Sequence, residues 1–461
     1  MAELQLREVA PAIGARVLQG RPETFFRSFN IDSRLTRPGE LFFAILGKRD
    51  GHDFVSRAAQ KGAAGAVISR DAGPVREDFA LLRVENTVQA LQALAARVLR
   101  DFRTRVVGIT GSIGKTTTKE FTAVLLGSRL NVLKSEGNFN NHLGLALSLL
   151  KLRKEHQVAV LEYGMSAAGE IRGLTRIAPP DVAVITNVAP VHLQFFGGLD
   201  GIAAAKKEIL DGMRETGIAV LNGDDARVRA IAAGWEGKRI TFGRSDGCDV
   251  RAAGVRSLGY EGIEISLKYG SEEALARIPF LNEGAAENLL AALGVCLALG
   301  EPLSAVFPRI AGLKPFAMRG VLIELPGDIK ILDDSYNSNP RALESALRSY
   351  SALPARRKVA VLADMLELGP EEKKYHLEAG ECAARSGWDI LVTIGRLAED
   401  MARGARSAGM PGDRVLSFAD SEAAAAAILD IAAAGDLILV KGSRGMKAER
   451  VVETLNNRGK E

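Results

Sequence analysis

Hydrophobic spacing divides the chain into three stretches. Up to residue 103, short apolar runs ("LFFAIL", "GAVISR", "ALLRV") precede an alanine- and leucine-rich segment, "VQALQALAARVLRDF", whose apolar residues recur at helical spacing. The pattern predicts a small α/β unit ending in the polar "RDFRTR". From Val106 the runs are almost wholly apolar: "VVGIT", "VAVLEYG", "DVAVITNV" and "GIAVLN", with helical segments after Gly114, His142, Gly169 and Gly201. Strands covered on both faces read as continuous Val/Ile/Leu runs, so this rhythm predicts βαβ units around a mainly parallel sheet.

Residues 239–280 turn to shorter segments, "RITFG" and "GIEISLKYG", which predict an antiparallel extension, and the apolar helix "AAENLLAALGVCLALG" follows. Beyond "GLKPFAMRG" a second alternation begins: "VLIEL", "IKILDD", a helix from Pro340, "KVAVLAD", "WDILVTIG" and "DLILVKG", the last three each followed by a helix. That predicts a separate doubly wound domain. "SEAAAAAILDIAAAG" reads as a helix, not as low complexity. The expected fold is α/β in three domains: a small N-terminal α/β domain over 1–103, a central domain with a mainly parallel sheet over 104–314, and a Rossmann-like domain over 315–461.

A chain of 461 residues exceeds one ordinary core, in keeping with that division, and 47% apolar with 25% charged residues suits packed globular domains. The net charge of +4 is dispersed, so no nucleic-acid surface is expected. Cys248, Cys296 and Cys382 are far apart, odd in number and without C-x-x-C, which argues against a disulfide framework or a cysteine metal site and suits a reducing compartment. No apolar run reaches membrane-spanning length, and the first residues lack a basic segment ahead of an apolar one. A cytoplasmic monomer without membrane insertion is expected.

The candidate chemistry starts at "RVVGITGSIGKTTTKE", residues 105–120. The standard phosphate loop (P-loop), G-x-x-x-x-G-K-[ST], would need glycine at 109, where Ile109 stands. The context still suits an anion: a strand enters a glycine-spaced turn and a helix begins near Lys115. Gly111 and Gly114 let backbone N–H groups approach phosphate, and the helix N-terminus adds positive potential. Lys115 would reach the β and γ phosphates and Thr116 a magnesium ion; the bland alternative is a glycine-rich turn with a surface lysine. Asn138, Asn140, Asn141 and His142 precede the next helix, more polar residues than capping requires. Glu162 ends a strand beside the loop, where it would contact a metal or cap the following segment. His192 by itself reads as structural. Lys206, Lys207 and Glu208 read as a solvated charge cluster, unless one lysine faces a cation with its charge removed or reversed.

In this order the blocks resemble the Mur ligase family, ATP-dependent amide-forming enzymes of peptidoglycan synthesis. The family's loop, T-G-x-x-G-K-[ST]-[ST], lacks the outer glycine and is matched from Thr110 to Thr117. "IDSRLTRPGELFFAILGKRDGHDF" is similar to the family's uridine-nucleotide domain and "GNFNNHLG" to its polar loop. "KKEI" resembles the block with a carbamylated lysine, here Lys206. "DDSYNSNP" (333–340), "LADMLELG" with His376, and "VKGSRGMKAERVV" are similar to members that add a D-alanyl dipeptide, and the D-N-P-R motif of diaminopimelate-adding relatives is absent. Two positions depart from the pattern: Gly284 stands where the family often has histidine, with Asn288 retained, and Ile113 where a small or polar residue is common.

The resemblance implies an ADP-forming ligase that adds D-alanyl-D-alanine to UDP-N-acetylmuramoyl-tripeptide through an acyl phosphate, giving UDP-N-acetylmuramoyl-pentapeptide. It assigns Gly111, Ser112, Gly114, Lys115, Thr116, Thr117, Asn288, Arg319 and Asp334 to ATP, and Lys115, His192 and Lys206 to catalysis. Thr116 and Glu162 would hold one Mg²⁺, and His192 with carbamylated Lys206 a second. Ser33, Arg34, Asn138, Asn140 and Asn141, with Asn337, Asn339, Ser443 and Arg444 on the dipeptide side, would meet the peptide substrates. Closure about "GLKPFAMRG" would precede chemistry. A folylpolyglutamate-type or other amide ligase of the family, and a nucleotide-switched binding protein, stay open as alternatives; a dinucleotide dehydrogenase is disfavoured because no G-x-G-x-x-G follows a strand.

Overall fold

A computed structural model describes residues 3–458. In the N-terminal part β1 (Leu4–Gln5) and β3 (Phe25–Phe26) form a two-stranded pair around β2 (Arg16–Gln19) in sequence. With β4 (Ser28–Asn30), β5 (Glu40–Phe43), β6 (Gly65–Ile68) and β7 (Ala80–Arg83), β2 makes a five-stranded sheet of order β2-β7-β6-β5-β4. The three apolar runs of the sequence are β5, β6 and β7. The helix Thr87–Phe102 starts where Asn86 accepts the Val88 and Gln89 N–H groups, and buries Leu91, Leu94, Val98 and Leu99.

The central sheet has nine strands: β8 (Arg105–Thr110), β9 (Val132–Lys134), β10 (Val158–Glu162), β11 (Val182–Ile185), β12 (Ile218–Asn222), β13 (Lys238–Gly243), β14 (Val250–Ser257), β15 (Ile263–Tyr269) and β16 (Glu272–Ile278). Their order is β16-β15-β14-β13-β12-β11-β8-β10-β9. The four long apolar runs are the buried strands β8, β10, β11 and β12. One expectation is corrected here. "RITFG" is β13, which pairs parallel with β12 from Ile218–Lys238 to Asn222–Phe242, so the antiparallel extension begins at β14–β15, one strand later. The start of β13 is exposed and only Phe242 and Gly243 are fully buried, so the strand lacks the apolar continuity of its parallel neighbours. The helix Ala285–Ala298 is buried on nearly every side, in the core shared with the helix Lys115–Leu126 and the strands beneath.

The C-terminal sheet comprises β17 (Val321–Leu325), β18 (Ile329–Asp334), β19 (Arg357–Ala363), β20 (Ile390–Ile394), β21 (Val415–Phe418) and β22 (Asp436–Lys441), in the order β17-β18-β22-β19-β20-β21. Only β17 is antiparallel, and separate hydrophobic cores lie on the two faces, as a doubly wound domain requires. The sequence pattern missed β21, a short strand with one fully buried residue. The linker into this domain is anchored by Phe316, whose ring centroid lies 6.5 Å from those of both Phe121 and Phe280. Ser345 donates to Asn282 at 2.9 Å and Tyr260 to the Pro354 carbonyl at 2.6 Å, docking the C-terminal domain on the central one. Among the described residues no helix is long and apolar enough to cross a membrane.

Candidate active site

The central strand order reverses at β8: the chain next builds β9 and β10 on one side, then β11 to β16 on the other. Such a switch point opens a crevice at the carboxyl ends of the strands. The turn 111–114 sits there and ends on Gly114, in the left-handed region at φ +85, which precedes the helix Lys115–Leu126 with no side-chain cap. The helix's first N–H groups therefore have no intrahelical or capping partner. A Cβ on Gly111 would lie 1.8 Å from Thr186 Oγ1, and one on Gly114 2.1 Å from Asn288 Oδ1. Neither position admits another residue without displacing its neighbour.

The far side of the turn is braced by the segment after β11. Asn187 Oδ1 accepts the Ile113 N–H at 2.9 Å, Thr186 Oγ1 donates to the Ile113 carbonyl at 2.6 Å, and Ser112 Oγ donates to the Ala189 carbonyl at 3.0 Å. Ile113 is thus held by its main chain, so its side chain is of little consequence to the turn. The brace by Thr186 escaped the sequence reading; its signal was the polar "TN" that ends an otherwise apolar strand. Gly114→Ala should lower stability by about 2 kcal/mol through its positive φ and the clash with Asn288. It should also weaken ADP binding about tenfold; thermal unfolding and calorimetry measure the two effects, and unchanged ADP affinity would contradict this account of the turn.

Lys115 folds back over the turn, with Nζ donating to the Gly111 carbonyl at 2.8 Å and the Ser112 carbonyl at 3.4 Å. Burial lowers its pKa, Glu162 opposes that shift and Arg319 adds to it. Thr116 Oγ1 donates to Glu162 Oε2 at 2.8 Å, and Asn140 Nδ2 to the other carboxylate oxygen at 3.0 Å. Arg319, from the start of the C-terminal domain, donates to Thr116 Oγ1 at 3.2 Å while its guanidinium lies 4.2 Å from the Tyr336 ring centroid. Asn288 Oδ1 accepts from Thr118 Oγ1 at 3.3 Å and its amide donates to the Gly284 carbonyl. Gly284 opens that helix with its N–H on Asn282 Oδ1 at 2.8 Å.

The charge cluster at 206–208 is not uniformly solvated. Lys207 is exposed and pairs with Asp211, but Glu208 is buried and accepts the N–H groups of Gly169 and Arg172, capping the helix Glu170–Ile177. Lys206 is 2% exposed, and no described residue gives its amine a hydrogen bond or a counter-ion. Burial, with the Lys115 charge adding, drives its pKa well below the ordinary 10.5. His192 sits at φ +55 with Nδ1 bonded to Glu367, across the boundary to the C-terminal domain. Among the described residues no three His, Cys, Asp or Glu side chains cluster as a ready-made metal cage.

The other candidates bond within their own neighbourhoods. Asn141 is a helix cap, accepting the Leu143 and Gly144 N–H groups, whereas Asn138 is exposed. Asn339 caps the helix Pro340–Ser351. Asp334 accepts at 2.6 Å from the buried Lys441, whose amine also reaches the Asn337 carbonyl. Ser443 Oγ accepts the Leu366 N–H, and the exposed Arg444 pairs with Glu449. His376 is fully buried with Nε2 accepting the Met365 N–H, a structural role. Ser33 is buried after β4, and the exposed Arg34 pairs with Asp32, whose carboxyl its hydrogen bond lowers to about 2.

Comparison with known proteins matches the chain to three family models: the Mur ligase family catalytic domain over residues 26–98, the Mur ligase middle domain over 109–296, and the Mur ligase glutamate ligase domain over 318–444. The UDP-N-acetylmuramoyl-tripeptide–D-alanyl-D-alanine ligase of Bacillus subtilis is 37% identical over 435 residues, covering 94% of each chain. The crystal structure of MurF from Acinetobacter baumannii superposes with a TM-score of 0.90 at 29% identity, covering 99% of both chains. That of MurF from Thermotoga maritima, solved with ADP, gives 0.83 at 32% identity over 94% of this chain and 98% of the other.

Proposed function

The chain belongs to the Mur ligase family, and from that premise we propose that it joins D-alanyl-D-alanine to UDP-N-acetylmuramoyl-tripeptide while converting ATP to ADP and phosphate. The observation that carries this reading is the junction at Thr116. There the phosphate turn, Glu162 of the central sheet and Arg319 of the C-terminal domain meet within hydrogen-bonding distance, in a chain that aligns nearly end to end with a ligase of that name. We set the domain limits at 1–103, 104–314 and 315–461, each holding one of the three large sheets, and place the protein in the cytoplasm, where ATP is available and the three cysteines stay free.

The terminal carboxylate of the tripeptide attacks the γ-phosphorus of ATP; an O–P bond forms, the bond to the bridging oxygen breaks, and ADP leaves. The amine of D-alanyl-D-alanine, having lost a proton, then attacks the acyl carbon. The amide forms as the C–O bond to phosphate breaks and the nitrogen gives up a second proton, which the departing phosphate takes. Both steps bring anions together, so positioned cations and N–H groups do most of the work. Lys115 moves from the Gly111 carbonyl to the transferred phosphoryl group, and the uncapped helix N-terminus holds the remaining phosphate oxygens. Arg319 completes the charge clamp only when the C-terminal domain is docked, coupling closure to chemistry. On the remaining substrate surfaces we assign Ser33 and Arg34 to the uridine end, Asn138 and Asn140 to the peptide, Asn337, Ser443 and Arg444 to the dipeptide, and Asp334 to the ribose.

The donor set fits magnesium. Thr116 Oγ1 and Glu162 Oε2 are hard oxygens 2.8 Å apart, and this ion binds through one or two carboxylates plus water and substrate phosphates, not an all-protein cage. When bound there it neutralises phosphate charge. Lys206 fits a carbamate: burial lowers the pKa of its unpaired amine, and in its deprotonated form the nitrogen attacks carbon dioxide, the N–C bond forming as one C=O π bond opens onto oxygen and a proton leaves to water; the anionic oxygen that results would, with His192, hold a second ion.

The test is an acceptor assay. Purified protein with Mg²⁺, ATP and the UDP-linked tripeptide should release phosphate only with D-alanyl-D-alanine, and mass spectrometry should find the pentapeptide product. ATP binding without amide formation, or equal turnover with glutamate or diaminopimelate as acceptor, would exclude this reading.

A further inference from the structure

Lys119 follows Lys115 by one turn on the helix Lys115–Leu126, and its side chain is fully buried. Burying a lysine amine is unfavourable unless hydrogen bonds replace the lost water, and an aliphatic residue would fill the same space without that penalty. Its partners show what it holds. Nζ donates to the Ser135 carbonyl at 2.6 Å and lies 3.2 Å from Glu120 Oε1, which belongs to its own helix.

Ser135 directly follows β9. Its N–H donates to the Val160 carbonyl at 3.1 Å, and its hydroxyl accepts the Glu162 N–H at 3.3 Å. Five residues on, Asn140 grips the Glu162 carboxylate by its side chain and accepts the Gly164 N–H at 2.9 Å on its carbonyl. Lys119 therefore ties the helix that carries Lys115 and Thr116 to the root of the segment that fixes Glu162 from both main chain and side chain.

We propose that Lys119 is a positioning residue: through Ser135 it sets the placement of Glu162 against Thr116, and thereby the affinity of the site for the magnesium–nucleotide complex. It touches neither substrate nor ion. The inference rests on the reading of Thr116 and Glu162 as the metal-side pair.

The test uses the full chain and two variants, Lys119→Met and Ser135→Ala, in calorimetric titrations with ADP in the presence and absence of Mg²⁺. Lys119→Met should weaken ADP binding about tenfold or more when Mg²⁺ is present, with little change when it is absent. In the steady state the KM values for UDP-linked tripeptide and D-alanyl-D-alanine should hold. Ser135→Ala should show the same split, smaller because the carbonyl that Lys119 grips is retained. A merely structural lysine would move the thermal midpoint and weaken both titrations alike, and that result, or unchanged magnesium-dependent affinity, overturns the proposal. If Lys119→Met does not fold, Ser135→Ala decides: unaltered magnesium-dependent affinity there overturns it equally. Because the titrations need only ADP and Mg²⁺, a chain that shows the split but makes no amide sinks the ligase reading and leaves this one standing.

Discussion

Lys115→Met should lower kcat for phosphate release about 10³-fold, or about 4 kcal/mol of transition-state stabilisation, and leave the fold intact. The two effects separate because of where the amine sits. In the resting chain Nζ is bonded only to carbonyls of its own turn, at Gly111 and Ser112, and burial already lowers its pKa. Methionine keeps the stem and removes a desolvated amine, so thermal unfolding should show no loss. What disappears is the amine proposed to meet charge developing on the transferred group. A folded variant with kcat within tenfold of the parent would remove Lys115 from the mechanism and return the turn to a structural role.

Lys206→Ala should cost a similar factor, about 10³-fold in kcat, and here a small molecule should restore part of the loss. If the anionic oxygens of a carbamate are what the reaction uses, formate or acetate diffusing into the truncated site can supply them; activity without added carboxylate would rule the carbamate out. Stability should move the other way. The native pKa of unmodified Lys206 lies well below 10.5, so between those values the unfolded chain binds a proton that the folded chain does not. Stability contributed by this site therefore rises with pH through that window and is lowest on its acid side. Lys206→Met should abolish that slope and be the more stable protein near neutral pH. Denaturant unfolding at several values from about pH 7 to about pH 10 reads it out; identical slopes for parent and variant would mean that Lys206 is not buried as a neutral amine.

The sequence was most informative where one physical pattern dominated. β8, β10, β11 and β12 are covered on both faces, so they read as unbroken apolar runs, and the residues proposed for the chemistry, Gly111 and Glu162, stand where two of those runs stop. β13 was assigned the wrong direction because only its last two residues are fully buried, and a half-exposed strand carries no mark of parallel pairing. β1, β3 and β4 have only two or three residues, and β2 and β21, though as long as β5 and β6, bury none and one of their residues fully, so they show no apolar run. In the site, local motif residues were legible but their supports were not. Nothing near Ile113 predicts that Thr186 and Asn187 hold its main chain, and a lysine after "GKTTT" looks like a solvated helix face when Lys119 is in fact wholly buried. Asn140 and Asn141 show the limit of composition: adjacent and identical, one donates to the Glu162 carboxylate and the other caps a helix.

The bracing of the phosphate turn bears on how the chain comes to be folded. Ser112 takes its side-chain partner from 77 positions further along, Ile113 from 74, and the helix behind them meets Asn288 across 170. No contact within residues 111–114 replaces these, so the turn cannot settle until β11 and the helix Ala285–Ala298 have docked, after the loop-closure entropy of those spans has been met. The turn proposed to hold the nucleotide thus matures only with those long-range contacts. ATP, by binding the finished form alone, draws the folding equilibrium toward completion in proportion to its concentration.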